Sequence, residues 1–205
     1  MARKSYALAI TCVVLLVCGS LVLAQDKDKD KDNQPGTLTI DIRDYCDPVT
    51  FANIGCVRIA TPVANGTITL PGFGAELAAE KSVGAWRFIP DQAKAEDGVN
   101  LMLKNLGGET HTFTRVKQFG GGFVAALNAA SGNATPAPEC AKVVNGNLTP
   151  QPPGPDNIFL PGNTNAPGPH VAEGERAKFQ CCIHPWMRTM INTKDNDDDH
   201  DQDKH

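Results

Sequence analysis

The sequence predicts an all-β domain, an antiparallel β-sandwich, flanked by charged tails. Several short segments alternate apolar and polar residues with the period of two that buries one face of a strand. Breaks rich in glycine and proline separate these segments, and short strands divided by turn signals are typical of a sandwich. Helical composition is confined to two short stretches, Gly74–Ser82 and Val124–Ala130.

The predicted strands are assigned from this alternation and from aromatic or β-branched content. Leu38, Ile40 and Ile42 alternate with polar residues in the first of them. Residues 132–169 are rich in proline, glycine and asparagine, which predicts one long loop excursion. The predicted strands are Thr37–Ile42, Thr67–Leu70, Ala85–Ile89, Val99–Leu103, Thr112–Val116, Ala177–Ile183 and Thr189–Thr193.

Both ends of the chain are predicted to lie outside the domain, which we place at 37–193. Residues 1–24 have the pattern of a secretory signal peptide, with Arg3 and Lys4 before an apolar run. An uncleaved anchor is the open alternative; after cleavage no other stretch is long and apolar enough to cross a bilayer. Residues 25–36 alternate acid and base and predict a solvated linker, and 194–205 predict an acidic disordered tail.

Charge and export narrow the function classes. Loss of Arg3 and Lys4 with the signal takes the formal net charge from −4 to about −6. Nucleic-acid binding is therefore disfavoured, because phosphates would repel the protein. We expect a monomer that is exported to the periplasm or the extracellular space.

The cysteine count requires an explanation. Of the 7 cysteines, Cys12 and Cys18 leave with the signal, and five remain. An odd number in an oxidising compartment indicates two disulfides and one cysteine with another role.

The segment FQCCIHPWM contains a candidate metal site. Cys181, His184 and Met187 are spaced three residues apart at the end of a predicted strand, so a loop can turn them toward one point. A thiolate, imidazoles and a weak thioether form the ligand set of a blue-copper electron-transfer centre. The second imidazole is supplied by His111 in NLGGETHTFT, after a glycine-rich turn and at the start of a strand.

The two motifs resemble those of the cupredoxin family of blue copper proteins. CCIHPWMRTMI is similar to the C-terminal copper loop of the amicyanin and plastocyanin type, and NLGGETHTFT to the upstream segment that provides the first histidine. The resemblance covers about 84–193 and implies a Greek-key β-sandwich that binds one copper ion through His111, Cys181, His184 and Met187. It also implies that electrons leave by the exposed edge of His184. Residues 37–83 and the long loop are not part of the family pattern.

The family spacing assigns copper to Cys181 rather than Cys182, and successive residues of a strand face opposite ways. The remaining cysteines then pair as Cys46–Cys56, which are close in sequence, and Cys140–Cys182. Ordinary disulfides or a vicinal pair at Cys181 and Cys182 are the open alternatives.

The motifs of nucleophilic or phosphate-binding enzymes are lacking from the sequence, and we predict that the protein is not an enzyme. The leading hypothesis is an electron carrier that cycles Cu(II)/Cu(I) with a redox partner protein that the sequence does not identify. The alternatives are a protein for copper storage, delivery or tolerance, and a cupredoxin-shaped interaction module without a redox role.

Overall fold

The computed structural model describes residues 35–57, 67–95 and 98–194. The predicted signal peptide and nearly all of the predicted linker and of the acidic tail lie outside these residues. Two helices and eleven strands are present in the described part. They are β1 Gly36–Arg43, α1 Leu70–Glu80, β2 Arg87–Ile89, β3 Gln92–Ala95, β4 Val99–Asn105, β5 His111–Arg115, α2 Ala125–Ala130, β6 Ala141–Val144, β7 Asn147–Pro150, β8 Asn157–Leu160, β9 Asn165–Val171, β10 Arg176–Gln180 and β11 Arg188–Thr193.

Two sheets form the β-sandwich that the sequence predicts. One has the strand order β2-β1-β4-β9 and the other β3-β11-β10-β5-β8, while β6 and β7 form a separate hairpin. Alternate residues of β4, Val99, Leu101 and Leu103, are buried, as the period of two requires. Phe88 of one sheet meets Phe113 of the other at 5.3 Å between ring centroids, and Phe113 stacks on Phe179 at 4.4 Å.

The expectation of purely antiparallel sheets is wrong for two strand pairs. β1 pairs with β4 in parallel, and β3 pairs with β11 in parallel. Parallel neighbours need a long crossover, and here the chain between β1 and β4 contains α1, β2 and β3.

The predicted strand Thr67–Leu70 is also wrong, because these residues lead into a helix that begins at Leu70. Thr69 is the N-cap of α1, its side chain accepts a hydrogen bond from the amide of Gly72, and proline occupies the first turn. A threonine cap followed by proline is a helix-start signal. Ile68 alone keeps an extended partner, in an isolated bridge to Cys46.

The predicted loop excursion at 132–169 contains regular structure. It includes the hairpin β6–β7 and the strands β8 and β9, which lie at the edges of the two main sheets. Its prolines and glycines misled the prediction, because edge strands tolerate residues that central strands exclude. No helix within the described residues is long and apolar enough to span a membrane.

Candidate metal centre

Three predicted ligands meet in the interior at one end of the sandwich. His111 is the first residue of β5, Cys181 directly follows β10, and His184 lies in the loop between β10 and β11. The Sγ atom of Cys181 lies 3.7 Å from Nδ1 of His111 and 3.9 Å from Nδ1 of His184. The ligand atoms of all three residues lie within 4.8 Å of one another. The fold thus brings together His111 and Cys181, which are 70 residues apart in the sequence.

Backbone hydrogen bonds give the loop after β10 its shape. The amide of Cys181 donates to the carbonyl of Met187 at 3.0 Å, and the amide of Met187 donates to the carbonyl of His184 at 2.9 Å. Met187, the fourth predicted ligand, is buried in this loop. Met190, the neighbouring methionine, is engaged elsewhere, since its sulfur accepts from Arg176 Nε at 2.9 Å.

The surroundings of the Cys181 sulfur favour its thiolate form. The amides of Thr112 and His184 both donate to Sγ at 3.4 Å. Burial by itself raises the pKa of the Cys181 thiol, but the hydrogen bonds and charges of the two histidines lower this pKa well below its ordinary value. Hydrogen bonds to a ligating sulfur also influence the properties of a metal bound to it.

The other side of the His111 ring is held by Asp44. Nε2 of His111 donates to Oδ2 of Asp44 at 2.8 Å, and both side chains are fully buried. Asp44 also accepts from the amides of Gly108 at 2.8 Å and Glu109 at 3.1 Å. Burial lowers the pKa of His111 by itself, but the bond to Asp44 and the neighbouring Cys181 raise this pKa to about 10.

The Nε2 atom of His184 also faces a carboxylate, that of Glu109. This atom lies 3.5 Å from Oε2 of Glu109, and the same oxygen accepts from the indole N–H of Trp86 at 2.6 Å. Glu109 is buried, and desolvation raises the pKa of its carboxyl group despite the opposing charge of His184.

Aromatic rings complete the enclosure of His184. The rings of Phe73, Trp86 and Trp186 lie 6.4, 6.4 and 5.4 Å from its ring centroid. Only 4% of His184 is exposed. The expectation of an exposed His184 edge is therefore wrong, because the Glu109 carboxylate and the three aromatic rings surround this imidazole.

The two disulfides flank the centre. Cys46–Cys56 lies beside Asp44, whose Oδ1 accepts from the amide of Cys46 at 3.3 Å. Cys140–Cys182 joins the segment before β6 to the ligand loop, and the amide of Cys182 donates to Thr112 Oγ1 at 2.6 Å. Cys181 is the free cysteine of the described residues.

Sequence reasoning missed Asp44 and Glu109. Glu109 lies two residues before His111, and an acidic residue beside a candidate ligand is a signal that was available. Asp44 is 67 residues from His111, and no local pattern connects the two. His170, the other described histidine, is exposed on β9, where its Nδ1 lies 3.1 Å from Oδ1 of Asn100, and it is not part of the cluster.

The donor set and its spacing fit a copper ion. Metal–sulfur bonds of about 2.3 Å and metal–nitrogen bonds of about 2.0 Å place the two atoms about 3.7 Å apart when the angle at the metal is near 120°. The observed separations of 3.7 and 3.9 Å match this value. Each imidazole directs Nδ1 to the shared point and Nε2 to a carboxylate, the usual arrangement of metal-bound histidine. A thiolate and two imidazoles are donors that copper accepts.

No family model matches the sequence, and no curated protein matches it significantly. Solved structures do match. A purple cupredoxin from Nitrosopumilus maritimus is 12% identical, with 76% of this chain and 98% of that chain covered and a TM-score of 0.36. Oxidised plastocyanin from Dryopteris crassirhizoma is 12% identical, with 77% and 100% covered and a TM-score of 0.33. For auracyanin B the identity is 15%, the coverage 78% and 91%, and the TM-score 0.33. This chain is a β-sandwich protein that is similar in structure to cupredoxins.

Proposed function

We propose that this chain is an exported protein that binds one copper ion and carries electrons. The observation that supports this proposal most directly is the buried convergence of Cys181, His111 and His184 on one point. Met187 is proposed as the fourth donor, because it is buried in the loop that holds two of the other three.

A bound copper ion would supply one-electron Cu(II)/Cu(I) chemistry. The residues of the chain contribute a fixed geometry: two amides hold the sulfur, and Asp44 holds the His111 ring. Ligands that are held in place change position little when the oxidation state of the ion changes. The rearrangement of the site that accompanies each electron transfer is therefore small. This rigidity is a property that an electron carrier needs.

The enclosure favours a carrier over an enzyme or a copper-delivery protein. His111 and Cys181 are 0% exposed and His184 is 4% exposed, so a substrate has no direct approach to the ligand atoms. Transfer of the metal to another protein would require the ligand loop to open. The disulfide Cys140–Cys182 opposes such opening, because it ties the loop to the segment before β6.

Two features support export to the periplasm or the extracellular space. The sequence begins with the pattern of a signal peptide. Two disulfides are present, and disulfides persist in oxidising compartments. The redox partner is proposed to be another protein of the same compartment.

Copper titration followed by visible spectroscopy tests the proposal. We expect one copper ion per chain and an intense visible band from thiolate-to-copper charge transfer. Cys181→Ser should abolish the band, and Met187→Leu should shift it. Met190→Leu is the matched control and should leave the band unchanged, because the Met190 sulfur is bonded to Arg176.

Kinetics then separate a carrier from a store. Reversible reduction by a small donor, with fast electron self-exchange, supports the carrier. A colourless protein with weak copper affinity would contradict the proposal and favour an interaction module, and slow exchange in a coloured protein would favour storage.

A further inference from the structure

The ring of His184 is closed to solvent on the side that faces away from the candidate metal centre. Its Nε2 faces the Glu109 carboxylate, and three aromatic side chains surround it. An electron that reaches the centre through this histidine must first cross one of these neighbours. That neighbour determines where on the surface the electron enters.

Among the rings around His184, Trp186 is the one that reaches the surface. Phe73 is 7% exposed and Trp86 1% exposed, whereas Trp186 is only partly buried. The Trp186 ring also has the shortest centroid separation from His184 of the three, 5.4 Å. Electron tunnelling weakens steeply with distance, so the shortest contact that also meets the surface is the favoured route.

A cleft lies directly in front of Trp186. Its volume is about 730 Å³, and Trp86, Phe119 and Met187 contribute to its walls together with Trp186. The cleft thus connects the surface to the loop that carries the candidate ligands.

Two of the three charged residues that line the cleft are positive, whereas the protein as a whole is negative. Arg87 and Arg188 line it, and Asp91 is the one acidic residue among the lining residues. Arg188 stays in place through bonds to the Pro185 carbonyl at 2.8 Å and Asn133 Oδ1 at 2.6 Å. The chain carries a formal net charge of −4, so this positive region would attract a negatively charged group selectively.

We propose that electrons enter the centre through the indole of Trp186, from a redox partner that presents negative charge to this cleft. This inference rests on the proposed copper function. One electron passes from the reduced partner to Cu(II), which leaves Cu(I) and a partner oxidised by one electron; no bond or proton is transferred. Trp186 mediates the transfer, and Arg87 with Arg188 orients the partner.

Stopped-flow reduction of the copper-loaded protein tests the route. The reductants are hexacyanoferrate(II), which is anionic, and hexaammineruthenium(II), which is cationic. Trp186→Leu should slow both reactions about tenfold, which corresponds to about 1.4 kcal/mol of activation free energy. Trp186→Phe keeps an aromatic ring and should slow them less. Phe159→Leu is the matched control: it removes a partly buried ring that stacks on Phe123 and is not among the residues that line the cleft.

A charge reversal tests the docking site without touching the loop. Arg87→Glu should slow hexacyanoferrate(II) and accelerate hexaammineruthenium(II) at low ionic strength, and salt should abolish both effects. Lys142→Glu makes the same charge change on the β6–β7 hairpin, away from the cleft, and should have a smaller effect.

The visible band and the reduction potential of each variant show whether its centre is intact. The inference is overturned if Trp186→Leu, with its band and potential unchanged, reacts as fast as Phe159→Leu. It is also overturned if Arg87→Glu and Lys142→Glu behave alike. If Trp186→Leu loses its visible band, the reduction rates of Trp186→Phe and Arg87→Glu test the inference in its place. A wild-type protein without any thiolate–copper band contradicts the proposed function instead, so the two failures are distinguishable.

Discussion

The two histidines of the centre are held by opposite means. His111 lies in a polar network, where the buried Asp44 carboxylate accepts hydrogen bonds from its ring and from the amides of Gly108 and Glu109. His184 lies among aromatic rings, and its nearest carboxylate oxygen, on Glu109, is 3.5 Å from Nε2. One side fixes an orientation through several short bonds, and the other encloses a ring mainly by packing.

This difference indicates that the surroundings of His111 and those of His184 have different roles. A carboxylate with several donors permits only one orientation of the imidazole, so the Asp44 side determines geometry and ligand strength. Aromatic packing excludes water and still conducts electrons to the surface through Trp186, in our proposal. Changes on the Asp44 side should therefore alter stability and metal affinity most.

Asp44→Asn should have the largest effect. Asparagine has the shape of aspartate, but both oxygens of Asp44 accept hydrogen bonds. In either orientation the NH2 group of asparagine therefore faces N–H donors, which leaves buried N–H groups without an acceptor. We expect the free energy of unfolding of the metal-free protein to fall by about 3 kcal/mol. Copper affinity should fall by about 10- to 100-fold. Chemical denaturation and competitive copper titration measure these two quantities.

The matched control is Asp41→Asn, which removes a surface partner of Arg43 in the same segment. Its cost should stay below about 1 kcal/mol, and copper affinity should not change. Equal losses in the two variants would contradict the special role of Asp44.

Glu109→Gln should have a smaller effect. The amide oxygen can still accept from Trp86, and the lost interaction with His184 spans 3.5 Å. We expect a loss of about 1 kcal/mol in the free energy of unfolding. The reduction potential should rise, because one negative charge near the ion is removed and Cu(II) loses more stabilisation than Cu(I). Voltammetry measures the potential. If this variant lost more copper affinity than Asp44→Asn, the proposed division between the two sides would be wrong.

The pH dependence of the metal-free protein should show the smallest effect. The pKa of His111 is raised from 6.5 to about 10, so its stabilisation is complete below pH 6.5 and is lost as the pH rises through 10. The pKa of Cys181 is lowered well below 9.0, so its contribution is present above pH 9.0 and is lost as the pH falls through the lowered value.

Between pH 6.5 and 9.0 the two slopes oppose each other, because folding moves a proton from sulfur to imidazole without net uptake. We expect this pair to produce a plateau in the free energy of unfolding over that range, with a decline on either side. Urea denaturation at several pH values measures it. The alkaline decline runs from pH 9.0 to the pKa of folded His111, about 10, so in Asp44→Asn, where this pKa is lower, the decline should end at lower pH and be smaller. An unchanged alkaline limb would contradict the role of Asp44 in raising the pKa of His111.

The sequence predicted the fold class and most central strands, because the period-two burial of β1, β4 and β11 is a local property. It did not predict the strands within 132–169. β8 and β9 are edge strands; β8 has only four residues, and β9 contains two prolines and a glycine, a composition that resembles a loop. It also mistook the start of α1 for a strand, although Thr69 and Pro71 carry the cap signal.

The candidate ligands could be read from the sequence because three of them lie within seven residues, where spacing alone limits how they can point. The backbone bonds of the loop are equally local, since they join Cys181, His184 and Met187. Their identity as donors follows from side-chain chemistry, which needs no fold.

Only the tertiary structure decided what surrounds those ligands. Asp44 reaches His111 across 67 positions, and Trp86 reaches Glu109 across 23. The covering of His184 by Phe73 likewise depends on where α1 packs. Such contacts arise from the pairing of distant strands and the packing of a helix against them, so no periodicity or spacing along the chain encodes them.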